Sequence, residues 1–113
     1  MSTSRQRRST LRGRASVFAA LGDETRLLLI GKLADGQPQS ISRLAAGSAL
    51  TRQAITKHLR VLQGAGVVHG ARRGRESRFE LRPEPLKELT AYLERVSDQW
   101  DHALARLKSF VER

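Results

Sequence analysis

Residues 40–68 read Ser40-Ile-Ser-Arg-Leu-Ala-Ala-Gly-Ser-Ala-Leu-Thr-Arg-Gln-Ala-Ile-Thr-Lys-His-Leu-Arg-Val-Leu-Gln-Gly-Ala-Gly-Val-Val68, and this stretch decides the fold. Ser40 can cap a short helix through about Ala46 that buries Ile41, Leu44 and Ala45. A capping hydroxyl accepts from backbone N–H groups that a helix start leaves unpaired. Gly47 to Leu50 is a turn, and Thr51 caps a second helix that runs to Gln63. Gly64-Ala65-Gly66 stops it, because glycine tolerates the left-handed conformation at a helix end. With Ile55 taken as the inward direction and a step of about 100° per residue, Leu59 and Leu62 fall within about 40° of it. Gln53, Lys57 and Arg60 fall on the opposite side, with Thr56 flanking.

Outward from this pair of helices, residues 67–72 and 77–82 read as strands. Phe79 and Leu81 alternate with Arg78, Glu80 and Arg82, the period-two pattern of a half-buried strand. Arg73-Gly74-Arg75-Glu76 is the hairpin tip. Upstream, a helix is expected over about Ala15–Leu21, broken by Gly22, and another over Glu24–Ala34 capped by Asp23, with Leu27, Ile30 and Leu33 as its inner stripe. The fold class is therefore mainly α with a small β-hairpin wing. Downstream of Pro83-Glu84-Pro85, apolar residues fall at Leu86, Leu89, Leu93, Val96, Trp100, Ala103, Leu107 and Phe110. Their alternating steps of three and four form the seam of a helix that packs along another helix.

Three segments follow from this reading: a mobile basic arm over residues 1–14, a winged helix-turn-helix over 15–82, and a dimerisation helix over 83–113. Arg5, Arg7, Arg8, Arg12 and Arg14 stand among Ser, Thr and Gly without apolar periodicity, which suits an arm. The seam is too long for one small domain to cover. Self-association is expected through Leu89, Leu93, Val96, Trp100, Leu104 and Leu107 of the last helix.

Charge sharpens the functional reading. The chain of 113 residues carries a formal net charge of +10. Residues 1–82 hold 16 Lys/Arg against 5 Asp/Glu, and residues 83–113 hold 5 against 6. A basic half of this kind attracts a polyanion. Residues 51–63 contain no acid, whereas Arg52, Lys57 and Arg60 are cationic. An acid-free polar face suits a helix lying in a DNA groove, where Gln pairs with adenine and Arg or Lys with guanine. Arg52, Gln53, Thr56 and Lys57 are the base-edge candidates, with Arg60 on phosphate. Ser40 and Thr51 can donate to phosphates at their helix starts. Arg73 and Arg75 of the wing suit the backbone or minor groove. His58, at the edge of the buried stripe, is expected to pack and hydrogen-bond.

Other chemistries have no support. The sequence lacks cysteine, which excludes disulfides and thiolate metal sites, and His69 and His102 have no partner at ligand spacing. There is no nucleophile elbow or phosphate-binding glycine loop, so no enzyme and no cofactor is expected. No apolar run approaches a membrane span, and a cytoplasmic protein with double-stranded DNA and a second copy of itself as partners is expected.

At this point the chain resembles the ArsR-type winged-helix repressors. Phe18-Ala-Ala-Leu-Gly-Asp-Glu-Thr-Arg-Leu27 is similar to the segment that opens the family's second helix. Ala54-Ile-Thr-Lys-His-Leu-Arg-Val-Leu62, followed by Ala65-Gly66-Val67-Val68, is similar to its recognition helix and wing entry. The likeness covers about residues 15–110. It implies a homodimer built from the first and last helices, with Val17 and Phe18 at the interface on the first, repression at an imperfect palindrome, and release by an effector. The family's thiolate metal site would need cysteines around Ser40 and Arg43, where none stand. Its other site would need two acid-histidine groups on the last helix, where Asp101 and His102 supply one. These departures from the family's metal-sensing pattern point to a metal-independent member, and they specify no effector. A non-specific architectural DNA-binding protein is the alternative, and Gln53 and Thr56 fit it less well. A winged-helix module that contacts only proteins is disfavoured by the acid-free face.

Overall fold

The computed structural model describes residues 3–112, with side chains from Thr10 onward. The elements follow as α1 (Thr3–Leu21), α2 (Glu24–Leu33), β1 (Gln39–Ser40), α3 (Ile41–Ala45), α4 (Arg52–Gly64), β2 (Val68–Arg73), β3 (Glu76–Leu81) and α5 (Pro83–Val111). The three antiparallel strands lie in the order β1-β3-β2.

Local chemistry sets the helix boundaries. Asp23 Oδ2 accepts from the Arg26 N–H at 3.1 Å, Ser40 Oγ from Arg43 at 3.1 Å, and Thr51 Oγ1 from Ala54 at 3.1 Å. Each satisfies a donor that the start of its helix leaves open. At the far end of α4 the backbone reverses through Gly66, with φ of 78°. The Gly66 N–H reaches the Gln63 carbonyl at 2.9 Å and the Val67 N–H the Leu62 carbonyl at 3.0 Å. This paired arrangement closes a helix on a left-handed residue and brings Val67 against Leu62, both fully buried.

The core is the convergence of α2, α3, α4 and the inner face of the sheet. Leu29, Leu33, Leu44, Ile55, Leu59, Leu62, Val67, Val68 and Phe79 are buried there, joined by Val17 and Ala20 of α1 and Leu89 of α5. Their burial fixes the orientation of α4: the Ile55, Leu59 and Leu62 stripe faces inward and the basic face outward.

Three sequence expectations are corrected. The first helix begins at Thr3, so the segment expected as an arm continues α1, and only residues 1 and 2 of it lie outside the described chain. Arginine is a good helix former, and extending a helix already nucleated costs far less than starting one. Arg14 ties this stretch down, with its guanidinium 4.7 Å from the centre of the Tyr92 ring. In α2, Leu29 and Leu33 turn inward while Leu27 is 55% exposed. Leu27-Leu28-Leu29-Ile30 is continuously apolar and carries no phase of its own. The strand β1 was not expected; Gln39 pairs with Phe79 and Ser40 with Arg78 on the free edge of β3.

The last helix runs for 29 residues, or about 44 Å. The Cα radius of gyration is 18.8 Å, against about 13 Å for a compact chain of this length. Only Leu89 of α5 is buried, where the helix passes α1. Beyond it Leu93, Trp100, Leu104, Leu107 and Phe110 are exposed, and Val96 is partly covered.

Candidate nucleic-acid interface

Arg52, Gln53, Lys57 and Arg60 are exposed on the outer face of α4, and Thr56 is half-buried beside them. Together with Ile41 and Ser42 of α3 they line one open groove of about 420 Å³. Gln53, Lys57 and Arg60, assigned from sequence to the outer face of α4, therefore share a single surface with Arg52 and the flanking Thr56. Ile41 and Ser42 were not assigned to it. Ile41 was placed in the core, and it does pack against core residues while one side faces the groove. No sequence signal marks Ser42, which reaches the groove because α3 lies across α4.

Ser40 and Thr51 stand at the N-termini of α3 and α4. Their hydroxyl oxygens accept from the helix backbone, so each hydroxyl hydrogen can be donated outward. Thr56 differs: its Oγ1 donates to the Arg52 carbonyl at 2.7 Å. It can offer an acceptor lone pair and a methyl group, but no proton.

The wing presents cations at its tip. Arg73 pairs in register with Glu76 across the turn at Gly74 and Arg75, and Arg72, Arg73 and Arg75 are exposed. The Glu76 carboxylate accepts from Arg78 Nε at 3.0 Å, an ion pair lying along β3. Arg73 and Arg75 lie outside the α4 groove and form a second basic element beside it.

A polar cluster holds α4 against the N-terminal helices. Arg26 Nε donates to the Ala20 carbonyl at 2.6 Å, and its Nη1 lies 3.2 Å from His58 Nδ1. Asp23 Oδ2 is 3.7 Å from the same nitrogen. The Arg26 backbone N–H holds the Asp23 carboxyl below its ordinary range; desolvation opposes it, and the Arg26 and His58 charges and the Thr25 N–H lower it in smaller measure. The packing role expected for His58 is what this geometry provides. Lys32 is likewise structural, donating to the Leu44 carbonyl at 3.0 Å and fastening α2 to α3.

Two of the residues expected at a dimer interface are covered within a single chain. Val17 is 6% and Leu89 is 5% exposed within a single chain. They are used by the protomer's own core, where α1 crosses α5, and have little surface left for a second copy. Phe18 is only partly covered, edge-on to Tyr92 at 6.4 Å.

Comparison with known proteins places this arrangement. Residues 14–71 match the helix-turn-helix domain family, a span from late α1 into β2 that contains the whole α3–α4 unit. A solved structure of an ArsR-like transcriptional regulator from Rhodococcus sp. RHA1 superposes with a TM-score of 0.78 at 42% sequence identity, covering 90% of this chain and 95% of that one. The chain belongs to the ArsR family of winged helix-turn-helix transcriptional regulators. The HTH-type transcriptional regulator YuzN of Bacillus subtilis is 38% identical over 80 residues that span 66% of this chain and 87% of YuzN. The homodimeric winged helix-turn-helix domain of Mb0332 from Mycobacterium bovis shares the fold, with a TM-score of 0.68 at 23% identity over 88% of this chain and 89% of that one. This ArsR-family chain is thus a DNA-binding regulator of transcription. Among the described residues no group of three or more His, Asp or Glu side chains is placed to hold a metal ion, and no helix is long and apolar enough to cross a membrane.

Proposed function

We propose that the protein is a homodimeric repressor that reads a palindromic operator with α4, and that it does so without a thiolate metal site. One observation carries the reading. Arg52, Gln53, Thr56, Lys57 and Arg60 line a single acid-free groove on the outer face of a helix whose inner face is locked into the core. In the major groove, the N-terminal turn of such a helix reaches base edges while the rest meets phosphates. Arg52, Gln53 and Lys57 read bases, Arg60 binds phosphate, and Ser40 and Thr51 donate to the backbone at the flanks. Arg73 and Arg75 grip the adjacent backbone or minor groove.

The exposed seam of α5 supports self-association. Trp100, Leu104 and Leu107 are 64%, 55% and 58% exposed in one chain, on a helix that outruns its domain. A contiguous apolar stripe of this kind marks an interface, and the homodimer of the M. bovis relative fits the same arrangement. A two-fold pair sets two copies of α4 about one DNA turn apart, matching a palindrome. Repression follows from occupying such a site within a promoter. The absence of cysteine from the sequence leaves release to an effector other than a thiolate-bound metal.

A mobility-shift titration against the region upstream of the protein's own coding sequence, with random duplex as competitor, tests this at two salt concentrations. Preferential binding that weakens steeply with salt is expected, because phosphate contacts release counterions. Equal affinity for random duplex refutes the operator reading and leaves the architectural one.

A further inference from the structure

The α4 groove is less polar than its cationic rim suggests. Thr56 turns its hydroxyl back to the Arg52 carbonyl at 2.7 Å, which leaves its γ-methyl as the branch of the side chain not engaged within the helix. Ile41 lies across the same groove, half-buried against the core and held in place as the first residue of a helix capped by Ser40. Arg52, Lys57 and Arg60 reach the groove on hydrocarbon stems, with their charged heads free to leave it for phosphate or base. The result is a small apolar recess, framed by cations, on the surface assigned to the DNA major groove.

We infer that Ile41 and Thr56 form a receptor for the 5-methyl group of a thymine in each operator half-site. This rests on the reading of α4 as the recognition helix and specifies what that helix selects. The major groove displays one apolar group, the thymine methyl, and threonine methyl groups are among its usual partners. Because the Thr56 hydroxyl proton is already donated within the helix, the side chain has no donor for the thymine O4 or a purine N7. Its remaining polar reach is that of an acceptor, so methyl contact is the discriminating interaction at this position. Gln53 and Lys57 then read the neighbouring base pairs by hydrogen bonds.

The test uses the full-length protein and an operator duplex obtained by in vitro selection from a random library. Each thymine is replaced in turn by deoxyuridine, which removes the methyl and leaves the pairing edge unchanged. One replacement per half-site should weaken binding about fourfold, the equilibrium equivalent of exposing one buried methyl group, with the other replacements neutral. Thr56→Ser keeps the hydroxyl and removes the methyl, and it should discriminate less between the thymine and deoxyuridine duplexes, with only Ile41 left to meet the thymine methyl. Thr56→Val keeps a methyl at the groove and should retain the discrimination; thermal melts of both variants establish that they fold. A selected operator that is bound with no sensitivity to any deoxyuridine overturns the receptor while leaving α4 as the reading helix. Sensitivity that persists undiminished in Thr56→Ser overturns the assignment to Thr56. Failure of the selection to yield any sequence preference removes the recognition-helix reading and this inference with it.

Discussion

Replacing Leu107 with alanine tests the dimer seam where its energetics can be worked from the structure. Leu107 is 58% exposed and lies on the stripe shared by Leu93, Trp100 and Leu104. The change removes three carbons, and burying a methylene is worth about 0.8 kcal/mol. If a second copy covers the exposed fraction, each side chain contributes about 1.4 kcal/mol. A two-fold interface counts every residue twice, so Leu107→Ala should cost the dimer about 2.8 kcal/mol. That corresponds to roughly a hundredfold rise in the dissociation constant. Sedimentation equilibrium across a concentration series reads this directly. The folding midpoint of the isolated protomer should hardly move, since Leu107 is not part of its core. A dissociation constant unchanged within threefold would refute the seam, whatever the oligomeric state of the native chain.

Other outcomes follow from the same structure. Lys57→Glu places an acid on the acid-free face and should weaken operator binding at least tenfold at low salt, with a shallower salt dependence and an unchanged sedimentation profile. Gly70→Ala should destabilise the fold by about 1–3 kcal/mol in urea titration, because an added Cβ would lie 2.9 Å from the ring of buried Phe79. Asp23→Asn bears on pH. The folded Asp23 carboxyl lies below its ordinary range, so its contribution to stability is present above the unfolded carboxylate pKa and is lost as pH falls through the folded value. The asparagine variant keeps a capping oxygen and should lose part of the native protein's acid sensitivity below about pH 4, a difference read from thermal melts at several pH values.

Much of this arrangement was legible in the sequence where the deciding interaction is local. Asp23, Ser40 and Thr51 cap their helices through hydrogen bonds to the third residue along, a range over which sequence position and spatial position coincide. Ile55, Leu59 and Leu62 recur at steps of four and three, so the phase of α4 could be read even with apolar Val61 beside them. Where the deciding contact is distant, the reading failed. The apolar run at 27–30 supplies no phase, and the packing of α2 on α4 and β3 selects Leu29 over Leu27. The strand β1 is two polar residues long and exists because β3 offers them an edge. Arg14 meets Tyr92, 78 positions away, a contact that no spacing in the basic N-terminal segment encodes. Val17 and Leu89 have the periodicity of interface residues, and only the crossing of α1 over α5 reveals that each is already enclosed.

The candidate interface divides in the same way. The polar face of α4 follows from its apolar one, so Gln53, Lys57 and Arg60 could be placed from helix geometry alone. The participation of Ile41 and Ser42 depends on how α3 lies across α4, and the back-bonded hydroxyl of Thr56 is a rotamer choice that no spacing encodes. Glu76, which could have opposed an anion at the wing, is engaged by Arg78.

Hydroxyl-radical footprinting of the native protein on its selected operator bears most directly on the claim that paired copies of α4 read DNA. Two protected windows related by two-fold symmetry, with centres about 10 base pairs apart, are the predicted pattern. A single window, or protection that spreads evenly along the duplex as protein is added, would contradict it.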